Sequence, residues 1–171
     1  MLKITVEHRL NCSPDRHWEL FWDPEWNQEL IVKGLGFSAC DCTEAVDKGD
    51  KRSRQMVVTP KLNVPAAVAK LLGPKMAYTE KGVFDKSTGK WTFDTILSVM
   101  ADRIRLGGAV TMRDHGDNRS TRVTDLWVDV RIFGLGGVIE RAAETNLRDG
   151  WAKSAEWING WLKENPDSPS S

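Results

Sequence analysis

Several things are scarce in this chain, and each scarcity removes a class of function. There is no net charge: 24 Lys and Arg stand against 24 Asp and Glu. Without a basic excess nothing displaces counterions from a phosphate backbone, so nucleic acid is not an expected partner. Cysteine is limited to three residues, an odd number. Cys40 and Cys42 lie two apart in a strand-like stretch, where a mutual disulfide is geometrically poor, so reduced thiols and a cytoplasmic address are expected. No run approaches the ~20 apolar residues that span a bilayer, and membrane contact is expected to be transient and peripheral. Residues 1–10 alternate apolar and polar from the start and lack the basic flank and apolar centre of a secretory signal, so they read as mature structure.

Histidine is also scarce. His8, His17 and His115 fall in a strand, a helix and a turn, and no serine or cysteine stands at a spacing that pairs nucleophile with base. Cys40-Asp41-Cys42 offers two thiols but no second pair for a tetrahedral metal, so they read as core cysteines with Asp41 outward. Neither metal nor cofactor is expected, and the chain reads as a binding domain rather than an enzyme.

What is present is a strong alternation. Leu2, Ile4, Val6 and His8 share one side of a first strand. Ser13-Pro14 and Asp23-Pro24 each join an N-cap to a proline at the first helical position, which predicts two short helices in series, the second ending at Gly34. Strands then follow over residues 37–131, separated by polar turns at 47–50, 85–89 and 114–118. Trp91, Phe93, Thr95, Leu97 and Val99 alternate along one of them; Thr124, Leu126, Val128, Val130 and Ile132 do so along the last. Residues 60–74 carry three prolines among Leu62, Val64, Val68, Leu71 and Leu72, a loop with a short helix. Finally Ile139, Ala143, Leu147, Trp151, Ile158 and Leu162 recur at helical spacing over residues 138–163. One domain over residues 1–164 is expected, with a disordered tail at 165–171.

A one-sided antiparallel sheet must bury its apolar face, and a long helix laid across the concave side covers only part of it. The remainder is a pocket lined by alternate strand residues. The order of elements resembles the START-like, helix-grip superfamily. Glu7-His8, Arg54 leading to Pro65 and Leu71-Leu72-Gly73, Glu80 before Val83-Phe84-Asp85, the entry at 134–140, and Asn146 with Gly150 resemble PRELI and MSF1 phospholipid-transfer domains and a group of bacterial START-like proteins. The resemblance implies an α+β fold: a curved antiparallel seven-stranded sheet wrapped around a long C-terminal helix, with two short helices after the first strand.

The implied function is to bind, and to transfer within the cell, a lipid or other hydrophobic small molecule. The expected lining is Arg54, Met56, Val68, Leu71, Leu72, Met76, Trp91, Phe93, Leu97, Leu126, Val128, Val130, Ile139, Ala143, Asn146 and Leu147. Residues 62–76 would form a lid, flanked by the turn at 133–136. Arg52 with Arg54, and Arg103 with Arg105, read as charged outer faces; an arginine turned inward would need an anionic ligand or an internal acid such as Glu80. Trp18, Trp22 and Trp26 read as core, with an aromatic gate as the other option. Two rivals remain: a cyclase- or dehydratase-like enzyme in which Asn146, Glu80 or His8 moves a proton, and an interaction module whose interior is filled.

Overall fold

The alternation and the capping signals translate directly into structure in a computed structural model, which describes residues 1–166. Strand β1 (Leu2–Leu10) buries Ile4, Val6 and Leu10 while Lys3, Thr5, Glu7 and Arg9 face water. Ser13 then caps α1 (Pro14–Phe21), its hydroxyl accepting from the Arg16 N–H at 3.2 Å. Asp23 caps α2 (Pro24–Glu29) in the same way, accepting from the N–H groups of Glu25 and Trp26. The second helix continues as a π-helical turn, Leu30–Gly34. Gly34 is required there by contact: a Cβ would lie 2.8 Å from Cγ of Trp157.

The segment read as one strand after residue 37 breaks at 43–45, giving β2 (Ala39–Cys42) and β3 (Val46–Lys48). Both pair with β4 (Lys51–Thr59), so the sheet has eight strands where seven were expected. Helix α3 (Ala66–Leu72) precedes β5 (Tyr78–Asp85), β6 (Lys90–Leu97), β7 (Ile104–Gly116) and β8 (Arg119–Val130). All pairings are antiparallel, in the order β1-β8-β7-β6-β5-β4-β2. The β7–β8 turn places Asp117 and Asn118 at φ 51° and 56°, a left-handed conformation these two residue types tolerate.

Helix α4 (Gly136–Glu164) lies across the concave face. Trp151 packs with Ile4, Val6, Trp91, Phe93 and Leu126 near its middle, and Ala155 and Ile158 pack with Leu10, Leu20 and Trp26 towards its end. At the opposite end Ile139 meets Val68 and Met76 of the lid region, with Leu97 and Ile104. Among the described residues no helix is long and apolar enough to cross a membrane. The expected tail lies, from residue 167 onward, outside the described residues.

Candidate ligand-binding site

Where α4 crosses the sheet it presents Ala142, Ala143, Gly150 and Ser154 among its larger side chains, and these small residues cannot fill the concavity. A cavity of about 270 Å³ remains between α4, the sheet, the segment around α3 and the first two helices. Fourteen of the sixteen expected lining residues border it. Strand β4 contributes Arg54 and Met56, β6 Trp91, Phe93 and Leu97, and β8 Leu126 and Val128. Helix α3 and the residues after it contribute Val68, Leu72 and Met76, and α4 contributes Ile139, Ala143, Asn146 and Leu147.

Leu71 and Val130 are corrections. Both are partly buried in the cluster around Val68, Leu97 and Ile104 instead of bordering the cavity. Val68 and Leu72, four apart, take the inner face of α3, which leaves Leu71 turned aside; Val130 sits at the last position of its strand, paired with Ile104.

The polar lining was only partly anticipated. Arg54 turns inward, correcting its reading as part of a charged outer face, because β4 residues 54, 56 and 58 share the buried side of the sheet. Its Nη2 meets Glu80 Oε1 at 3.1 Å, and its Nη1 donates to the Phe21 carbonyl at 2.6 Å and to Asn27 Oδ1 at 3.1 Å. The guanidinium also stacks on Phe21, 3.8 Å from the ring centroid. Glu80 is the internal acid expected for an inward arginine. Burial pushes its carboxyl above the usual range, and the charge and hydrogen bond of Arg54 oppose that. Arg52, on the same side of β4, stacks on Trp22 at 4.5 Å and pairs with Asp47, whereas Arg103 and Arg105 are exposed as expected.

Two further polar residues reach the cavity without having been singled out as lining. His17, only 4% exposed, projects from α1, and burial together with the charges of Arg122 and Arg54 lowers its pKa to about 3. Arg122, 3% exposed, lies on the concave face of β8 with Leu126 and Val128. The alternation held that signal, since 122 has the parity of 124, 126 and 128.

The three candidate proton-movers separate. Glu80 borders the cavity. Asn146 also borders it but is engaged by the Asn63 backbone and the Ala142 carbonyl. His8 lies opposite Arg122 on β1, outside the cavity lining, and burial and that charge lower its pKa. Trp18 and Trp22 pack into the core against Phe21, Phe84 and Trp91; Trp26 borders the cavity and packs on Trp157 and Trp161. Cys40 is buried beside Met56, and Cys42 is partly buried.

Solved structures share this architecture. A START superfamily protein from Mycobacterium smegmatis matches with a TM-score of 0.63 at 13% identity, over 94% of this chain and 98% of that one. The Zhui aromatase/cyclase from Streptomyces sp. R1128 matches with 0.63 at 12% identity, over 99% of each chain. Norcoclaurine synthase from Thalictrum flavum, solved with dopamine and hydroxybenzaldehyde, matches with 0.63 at 16% identity, over 98% of this chain and 89% of that one. The fold is therefore START-like. The last two neighbours also correct the expectation of a non-catalytic domain, because enzymes are built on this same fold. No curated protein matches the chain. Over residues 5–162 the sequence matches the family described as "Protein of unknown function (DUF2505)", and the chain belongs to that family.

Proposed function

We propose that the chain encloses a hydrophobic small molecule, a lipid chain being the best fit, in the cavity between α4 and the sheet. The observation that carries this reading is the cavity itself. Its walls are mainly Leu, Val, Ile, Met, Phe and Trp side chains, with a few polar groups gathered around Arg54, His17 and Arg122. Burial of each ligand methylene contributes about 0.8 kcal/mol, so a modest chain supplies useful affinity without further contacts. The ligand would enter past the segment 60–76, whose Leu62, Val64 and Leu72 border the cavity. Transfer between membranes would follow if that segment opens against a bilayer. The odd number of cysteines, three, supports a reducing compartment such as the cytoplasm.

Native mass spectrometry of gently purified protein, followed by extraction and identification of any bound mass, tests this. A co-purifying hydrophobic molecule supports it. A clean apo mass that persists after incubation with mixed lipids, with no displacement of a fluorescent fatty probe, defeats it.

A second reading has its own observation. Glu80, buried and pushed towards its neutral form, is a carboxylic acid positioned to give a proton to a group in the cavity, as a cyclase- or dehydratase-like reaction requires. Tyr78 borders the cavity two residues away, its phenol held neutral by burial. If the ligand recovered from the protein is turned over, Glu80→Gln should abolish turnover while leaving binding in place. Equal turnover by that variant removes Glu80 from the chemistry.

A further inference from the structure

Arg122 is a buried cation, 3% exposed, with no carboxylate paired to it among the described residues. Its Nη2 donates to the Trp151 carbonyl at 2.9 Å and to Ser154 Oγ at 2.8 Å, both on α4. The guanidinium faces the Trp151 ring at 4.7 Å, and its Nε is buried without a hydrogen-bond partner. Among the described residues no carboxylate forms an ion pair with it, whereas Arg54, the other cavity arginine, is paired with Glu80. Burial lowers the Arg122 pKa only to about 10, so the group remains charged at neutral pH.

Besides burial, the charge that acts on Arg122 is that of the Cys12 thiol, which opposes the lowering; no carboxylate takes part. His17, also bordering the cavity, is neutral and its Nδ1 is buried without a partner; His8, across the β1–β8 pairing, has an unpartnered Nδ1 too. With Glu80 ionised, the cavity holds two guanidinium groups and one carboxylate, and any protonation of Glu80 increases the excess. A buried guanidinium without a counter-ion is costly, and a ligand that supplies the missing anion recovers that cost on binding.

We infer that the cavity's ligand is a monoanionic amphiphile whose carboxylate docks on Arg122, with His17 beside it and the apolar body running towards the lid. This rests on the hydrophobic-ligand reading and specifies the ligand's polar end. One guanidinium flanked by neutral imidazoles matches a single carboxylate better than a dianionic phosphate.

The test compares dodecanoate with dodecanol, two probes of one chain length that differ in charge. Binding is read by tryptophan fluorescence and by native mass spectrometry at about pH 8, where a carboxylic acid is ionised. The wild type should bind dodecanoate about tenfold or more tightly than dodecanol, the worth of a charged hydrogen-bonded contact. Arg122→Met should erase that preference, bringing the ratio of the two affinities to about one whatever the change in dodecanol binding itself. Arg122→Lys, which keeps the charge, serves if the methionine variant does not fold, and should retain only part of the preference. Equal binding of both probes by the wild type overturns the inference and leaves the hydrophobic-ligand reading intact. A preference that survives unchanged in either Arg122 variant overturns it as well, moving the anion to Arg54. If neither probe binds, the underlying reading falls and the inference with it.

Discussion

Asn146 of α4 and the backbone of Asn63 in the lid segment hold each other by two hydrogen bonds. The Asn63 N–H donates to Oδ1 at 3.2 Å, and Nδ2 donates to the Asn63 carbonyl at 2.9 Å. The clasp ties the segment before α3 to α4 at the cavity edge, since Leu62, Val64 and Asn146 all border the cavity. Asn146→Ala removes both bonds, at about 1 kcal/mol each. The expected outcome is a loss of about 1 to 2 kcal/mol in urea denaturation and about fivefold faster release of a fluorescent fatty probe in stopped flow. An unchanged release rate would show that the clasp does not govern the lid.

The Arg54–Glu80 pair joins β4 to β5 and, through the Phe21 carbonyl and Asn27, to the first two helices. Arg54→Met leaves a buried acid without its partner and should cost about 3 kcal/mol in urea unfolding. Combining it with Glu80→Gln should cost less than the two single changes added together, because the second change removes the group the first one strands. Additive losses would mean that the pair does not act as a unit.

His17 sets a pH dependence of stability. Its folded pKa, about 3, lies below the ordinary histidine value of 6.5, so between those values the unfolded chain holds one more proton than the native one. Its contribution is therefore fully present above pH 6.5 and is lost as pH falls towards about 3. Each such proton costs about 1.4 kcal/mol per pH unit in that window. Glu80 works in the opposite sense: its raised pKa favours the native state at low pH, and that contribution fades as pH rises through its folded value. Comparing wild type with His17→Gln in urea titrations across the window isolates the histidine. The variant's stability should fall less steeply on acidification, and identical slopes would refute a neutral buried His17.

Phe133 is fully exposed between Ile132 and Leu135, both of which pack into the lid-end cluster with Val64, Leu71 and Leu72. An aromatic ring there, at the approach to α4, fits a transient foothold on a bilayer. Phe133→Ser should reduce co-sedimentation with phosphatidylcholine vesicles about threefold or more without changing thermal stability, given the ~1.5 to 3 kcal/mol available from burying such a side chain. Equal co-sedimentation would exclude this residue as the contact.

Much of the architecture follows from local rules. Ser13-Pro14 and Asp23-Pro24 mark the helix starts because cap and proline act within one turn, and the alternations at Trp91 and Leu126 mark the sheet's inner face because side chains flip sides at every residue. Alternation placed Trp91, Phe93, Leu97, Leu126 and Val128 on the cavity side, and helical spacing did so for Ile139, Ala143 and Leu147. Leu71 escaped them because hydrophobicity does not say which side of so short a helix faces inward.

Tertiary structure decided the polar interior. Arg54 and Glu80 are 26 positions apart, and Arg122 meets Ser154 across 32, distances at which no sequence period operates. A charge on a strand reads as solvent-facing until the fold lays a helix over it. Arg54 finds its acid on the neighbouring strand β5, whereas Arg122 meets a carbonyl, a hydroxyl and a tryptophan ring that α4 lays over it. Sequence alone thus determined the elements and the side of the sheet that would be enclosed. The packing of α4 and the lid set how much space stayed open and left one buried positive charge facing it, because both depend on contacts between segments far apart in the chain.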